Sequence, residues 1–199
     1  FEWPQFDENT ACGMCYTSGT TGHPKGVLYS HRSNVLHGLM CALGDAMAIS
    51  SRDRIMPVVP MFHANAWSIA FSGPLSGAAM VMPGPKLDGA SIYELLNTYK
   101  VSFTAAVPTV WLMLLQDLEK TGGKLPHLKR VVIGGSACPR AITKTFQDKY
   151  GVEVVHAWVQ LHVPPLETLI IGTSALGSGW FVALAFAGLG LLALARGRR

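Results

Sequence analysis

The chain has 199 residues, 49% of them hydrophobic and 14% charged, with a formal net charge of +4. That is enough apolar sequence for one substantial core, and too much for a disordered chain. Three of the sixteen basic residues, Arg196, Arg198 and Arg199, close the chain, and up to Pro165 there are 13 basic against 11 acidic residues, a balance that gives no footprint for nucleic acid.

The chain opens on Phe1 without a basic stretch and short apolar run, so no secretory leader is visible and the start reads as cut from something longer. The first strand is expected at "ACGMCY", residues 11–16, where Cys12 and Cys15 have the spacing of redox and zinc motifs. With no second such pair, both read as small buried thiols of a reducing, cytoplasmic compartment. Next comes "YTSGTTGHPKGV", Tyr16 to Val27, a loop that joins two strands rather than opening a helix. Its glycines let backbone N–H groups come close to an anion, its hydroxyls complete the shell and Lys25 adds a point charge. The spacing is not that of a P-loop, since Pro24 and Gly26 flank Lys25.

Beyond the loop, β-branched or apolar runs alternate with segments of helical period. Helices are expected at 33–49, 63–75, 89–100, 108–122 and 139–150, and strands at 54–59, 78–82, 102–107, 130–135 and 152–158. Asp88 and Thr109 suit helix starts, and Gly122-Gly123 and Gly151 suit helix ends. This alternation predicts an α/β fold, a parallel sheet covered by helices in three layers. In "HANAWSIA", His63 and Trp67 stand four apart and would share a helix face. His31, His37, His127 and His156 have no second ligand at metal spacing, and Cys138 reads as packing.

From Thr168 to Ala195 there are 28 residues without a charge, followed directly by "RGRR". About 20 would cross a bilayer, so 168–195 is a candidate membrane helix and membrane contact through this tail is one expectation. An anchor with its only basic flank C-terminal would put residues 1–158 on the non-cytoplasmic side. Two other readings stay open: an apolar tail folded back on the domain, and a frame change or fusion after Trp158, which the abrupt shift in composition favours.

The string "YTSGTTGHPKG" resembles the phosphate-binding signature of adenylate-forming enzymes, the group of acyl-CoA synthetases, luciferases and peptide-synthetase adenylation domains. "VPMFHANAW" (59–67) is similar to the acyl-pocket motif of fatty acyl-CoA synthetases, "IGGSACP" (133–139) to the nucleotide-site glycine segment, and "VVHAW" (154–158) to the lead-in to the adenine turn. The resemblance covers 1–158 and leans toward medium- and long-chain or methylmercaptopropionate-type acyl-CoA ligases. It implies a partial AMP-binding domain over 1–158 and a divergent tail over 159–199. It also implies ATP, Mg²⁺ and coenzyme A, and a fatty or similar carboxylic acid as substrate.

By that resemblance Thr17, Ser18, Gly19, Thr20, Thr21, Gly22 and Lys25 hold the β- and γ-phosphates, and Thr17 helps to place Mg²⁺. His63 and Trp67 line the carboxylate site and gate the acyl tunnel, so Thr17, Lys25 and His63 are the catalytic candidates. Gly134, Gly135, Ser136 and Ala137 flank the adenine and α-phosphate, with His156, Ala157 and Trp158 beside the base. After "HAW" the family continues Gly, a hydrophobic residue, Thr, Glu, whereas this chain reads "VQLHVPPLETL". A second Mg²⁺ anchor is therefore missing. Impaired or absent turnover is expected, and a membrane-attached, non-catalytic nucleotide-binding remnant is the alternative.

Overall fold

A computed structural model describes residues 1–17 and 23–156, with Thr17 described for its backbone alone. The expectations for Ser18, Gly19, Thr20, Thr21, Gly22, Ala157 and Trp158, and for the whole 159–199 tail with its candidate membrane helix, lie outside the described residues. Among the described residues no helix is long and apolar enough to cross a membrane.

The core is a five-stranded parallel sheet in the order β4-β3-β5-β6-β7, formed by β3 (Arg54–Pro57), β4 (Ala79–Met80), β5 (Phe103–Ala106), β6 (Arg130–Ile133) and β7 (Glu153–His156). Its register runs Ile55↔Phe103, Phe103↔Arg130 and Arg130↔Glu153, so the strands start almost in line. Alternation then sends successive side chains to opposite faces. Met56, Ala106, Val131 and Ile133 meet Ile92 and Leu96 of α4 (Gly89–Thr98), Trp111, Leu114 and Leu118 of α5 (Pro108–Thr121) and Ile142 of α6 (Arg140–Lys144). On the other face Ile55, Phe103, Ala105, Val132 and Val155 meet Cys41 of α1 (His31–Ala42) and Ile69 of α3 (Ile69–Leu75). Helices on both faces explain why the strands read as continuous apolar runs, and the expected three-layer α/β architecture is what forms.

The helix signals act as expected at several ends. Asp88 Oδ1 accepts from the Ser91 amide at 3.0 Å, Pro108 takes the first position of α5, and Gly122 ends it at φ 69°. Other boundaries differ. The first helix stops at Ala42, before Gly44 and Asp45, instead of running to 49. The helix after Pro139 changes to a π turn over Thr145–Lys149.

Two corrections matter for the site. The first strand, β1 (Ala11–Thr17), does not join the parallel sheet; it pairs antiparallel with β2 (Lys25–Ser30) in a separate two-stranded sheet. Its two cysteines are not both buried, since an i, i+3 pair on a strand points to opposite faces: Cys15 is buried and Cys12 is exposed. The segment expected as one helix from His63 to Leu75 begins as α2 (Ala64–Trp67), whose residues all have positive φ. Ala64, Asn65, Ala66 and Trp67 lie at 46°, 53°, 55° and 56°, and Ser68 follows at 67° before α3 resumes the right-handed form. His63 and Trp67 therefore do not share a right-handed helix face.

Candidate functional site

The loop of interest spans the mouth of the β1–β2 hairpin. Thr17 and Lys25 are directly paired at the end of the ladder, so the chain on either side of 18–24 is fixed by strand pairing. Lys25 is exposed and falls on the same hairpin face as Cys15, because Cys15↔Val27 and Thr17↔Lys25 are two steps apart. Cys15 in turn is buried and donates its Sγ–H to Asn65 Oδ1 at 3.6 Å. That contact brings the hairpin against α2, the segment that holds His63 and Trp67.

The other candidates come from the ends of the parallel strands. After Pro57 the chain leaves β3, with the amides of Val58 and Val59 both donating to the Ala105 carbonyl at 3.0 and 3.2 Å, and then reaches His63 and α2. After Ile133, β6 runs into Gly134 and Gly135, and β7 ends on His156, which is paired with Ile133. These segments therefore lie at the carboxyl edge of the sheet, where open α/β folds form their binding crevices.

Gly135 joins two of them. It lies at φ 80°, and a Cβ there would stand 3.0 Å from Cγ1 of Val107 and 3.8 Å from the Trp67 ring. Only glycine suits both the dihedral and the space. Gly134 is buried, whereas Gly135, Ser136 and Ala137 are exposed, so this turn is open to solvent at the carboxyl edge. His63 is exposed and Trp67 is half-buried against the core. His156 Nε2 lies 3.3 Å from Thr143 Oγ1, which is 3.8 Å from Cys138 Sγ. His156 is thus held by α6 on one side of the crevice.

The left-handed α2 is the feature that sequence reasoning missed. Each non-glycine residue in that conformation costs about 1–2 kcal/mol, and such strain is maintained only where the surroundings impose it. Ala66 is completely buried, Ser72 Oγ donates to the Ser68 carbonyl at 3.0 Å, and Asn65 receives Cys15. The only sequence signal was Asn65 itself, since Asn tolerates positive φ better than most residues. Val107 and Thr143 were also missed, because each acts through a neighbour that only the fold supplies.

At the opposite, amino edge lies a buried polar network. Asp53 Oδ1 accepts from Ser102 Oγ at 2.8 Å, and Oδ2 accepts from Arg130 Nη2 at 3.0 Å, from the Ser50 amide at 3.0 Å and from Ser50 Oγ at 3.1 Å. Arg130 Nη2 also donates to the Ala48 carbonyl at 3.1 Å, and its guanidinium lies over the Phe103 ring. Burial pushes the Asp53 carboxyl up, but the Ser102 and Ser50 hydrogen bonds and the Arg130 charge outweigh it and hold the group below its ordinary value. This network ties strand starts together, far from the crevice.

Comparison with known proteins converges on one group. The family model of the AMP-binding enzymes matches residues 2–160. Over 168 residues the chain is 55% identical to a 3-methylmercaptopropionyl-CoA ligase of Ruegeria lacuscaerulensis, covering 84% of this chain and 31% of the relative. A medium-chain-fatty-acid–CoA ligase of Ectopseudomonas oleovorans is 53% identical over 166 residues, covering 83% of this chain and 30% of the relative. The chain thus spans under a third of the length of these relatives. Among solved structures, the o-succinylbenzoate coenzyme A synthetase of Bacillus subtilis in complex with ATP and magnesium ion superposes with a TM-score of 0.64. It is 26% identical, over 74% of this chain and 30% of that one. The segments gathered at the carboxyl edge agree with the family match over residues 2–160, and the chain belongs to the AMP-binding enzyme family.

Proposed function

We propose that the chain carries the nucleotide-binding part of an ATP-dependent acyl-CoA ligase. In that reaction a substrate carboxylate oxygen attacks the α-phosphorus of ATP and pyrophosphate leaves. The thiol sulfur of coenzyme A then attacks the acyl carbon and AMP leaves. Both steps accumulate negative charge on oxygen, and donors fixed before the reaction are what lowers such barriers. The observation that carries the reading is the convergence of three separated stretches: the hairpin meets α2 through Cys15 and Asn65, and α2 meets the glycine turn through Trp67 and Gly135.

In this reading residues 17–22 and Lys25 surround the β- and γ-phosphates, with Thr17 toward Mg²⁺. The residues present fit such a group: a loop with its ends pinned at Thr17 and Lys25, an exposed lysine, and an exposed glycine turn that a side chain at 135 would obstruct. Gly134, Gly135, Ser136 and Ala137 flank the α-phosphate and base, with His156, Ala157 and Trp158 beyond them. His63 and Trp67 face the carboxylate. The similarity to ligases of methylmercaptopropionate and medium-chain fatty acids supports a fatty or similar acyl substrate over an amino acid.

A second reading rests on "VQLHVPPLETL" after Trp158, which lacks the glutamate expected there. It keeps nucleotide binding and loses most turnover. Calorimetric titration of the 199-residue chain with MgATP tests the first part. Binding is expected, and the combined variant Thr20→Ala, Thr21→Ala, Lys25→Ala is expected to weaken it at least tenfold; an unchanged affinity in a folded variant refutes the assignment. Carboxylate-dependent exchange of labelled pyrophosphate into ATP separates the two readings. Exchange supports a competent ligase site, and binding without exchange supports the impaired one.

A further inference from the structure

The hairpin of β1 and β2 stands outside the parallel sheet, and two antiparallel strands alone hold their shape only weakly. Its side-chain hydrogen bonds go two ways. The end away from the loop is tied to α1, where Asn34 Nδ2 donates to Cys12 Sγ at 2.9 Å and Ser30 Oγ accepts from the Ser33 amide at 3.1 Å. The loop end is tied to α2 by the bond from the Cys15 thiol to Asn65 Oδ1. Among the described residues this is the one hydrogen bond that joins the two strands to the segments at the carboxyl edge. Asn65 combines the two properties that its place requires. At φ 53° it has the left-handed backbone that asparagine tolerates better than most residues, and its half-buried side chain offers an acceptor to a residue fifty positions away. It lies two residues after His63 and two before Trp67.

Cys15, with 6% of its surface open, lies two residues before Thr17 on the hairpin face that carries Lys25. A paired strand is stiff over two residues, so whatever seats Cys15 also seats the start of the loop. We propose that Asn65 is a positioning residue, whose amide oxygen holds the hairpin against α2 and so sets the phosphate loop beside the segment that receives the carboxylate. The role rests on the nucleotide reading given above. Its physical basis is population: a loop seated in only a fraction of the molecules binds its ligand with an affinity reduced by that fraction, and a bond that fixes the seat restores it. Neither Asn65 nor Cys15 touches nucleotide in this account; each acts through the other.

Two substitutions in the full 199-residue chain separate the partners. Asn65→Gly removes the acceptor and keeps a residue at ease with positive φ, and Cys15→Ala removes the donor. The first readout is alkylation by iodoacetamide without nucleotide, resolved by peptide mass spectrometry. Cys15 is expected to react about fivefold faster in Asn65→Gly than in the native chain, while buried Cys41 stays protected in both and reports an intact core. Equal Cys15 rates overturn the proposal. The second readout is calorimetric titration with MgATP. Each single variant is expected to raise the dissociation constant about threefold and the double variant no further, because either change breaks the same bond. Effects that multiply in the double variant, or an unchanged affinity in Asn65→Gly, overturn the role of Asn65 and leave the nucleotide reading standing on the Thr20, Thr21, Lys25 triple variant. A native chain that binds no MgATP refutes both. If Cys41 also becomes reactive in Asn65→Gly, Cys15→Ala decides, and an unchanged affinity there overturns the proposal.

Discussion

Asp53 shows what one buried carboxylate does when every oxygen is used. Its partners lie on the loop before β3, at the start of β5 and on β6, so it joins the starting ends of three strands. Asp53→Asn leaves the Arg130 guanidinium buried without its counter-charge, a change that costs roughly 3 kcal/mol in comparable buried pairs. Urea unfolding reads this directly. Because the folded-state pKa of Asp53 is lowered, its contribution is complete above the unfolded value near 3.8 and disappears as pH falls through the folded value. The stability gap between the native chain and Asp53→Asn is therefore expected to be widest near neutrality and to close on acidification below about pH 4. A gap independent of pH would mean that the carboxylate charge plays no part. Glycines offer a second comparison at this scale. Gly122 and Gly135 both have positive φ, but a side chain at 122 meets open space and one at 135 meets Val107. Both Gly→Ala changes should cost about 1 kcal/mol for the backbone. Only Gly135→Ala should also weaken MgATP binding in titration; equal affinities in the two variants would remove the glycine turn from the site.

Among elements, α2 is the one under strain. Ala64 is exposed and sits at φ 46°. Ala64→Gly relieves the left-handed penalty, against glycine's greater entropy in the unfolded chain, for an expected net gain of about 0.5 kcal/mol. A loss of stability in the same urea assay would show that α2 is not left-handed in solution. This element also marks the limit of what the sequence discloses. The alternation of β-branched runs with helical periods predicted the parallel sheet and its two helical layers correctly, since buried strands and covering helices leave different periods. The expectation for "HANAWSIA" failed because local period cannot sense handedness, and the turn is imposed by Cys15 and the core around Ala66. The separation of β1 from the main sheet was hidden too, although the loop's role as a connection between two strands was legible. The loop's own residues, 18–22, stand on sequence alone.

For the molecule as a whole, the parallel sheet keeps stability and binding at opposite ends. The Asp53–Arg130 network closes the amino edge, whereas Gly135, Trp67 and His156 stand at the carboxyl edge. Strands of four residues separate them by about 10–13 Å, beyond the distance at which substitutions usually couple. The two effects should therefore add. Nucleotide at about one hundred times its dissociation constant stabilises the bound state by about 2.7 kcal/mol, which for a domain of this size raises Tm by roughly 5–10 °C. Asp53→Asn should lower Tm and leave that ligand-induced rise unchanged, whereas the Thr20, Thr21, Lys25 triple variant should leave the unliganded Tm near its original value and abolish the rise. Differential scanning fluorimetry on the three proteins, with and without MgATP, makes the comparison. If Asp53→Asn also removed the ligand-induced rise, the two edges would be coupled, and the crevice could not be treated as a site resting on an independent scaffold.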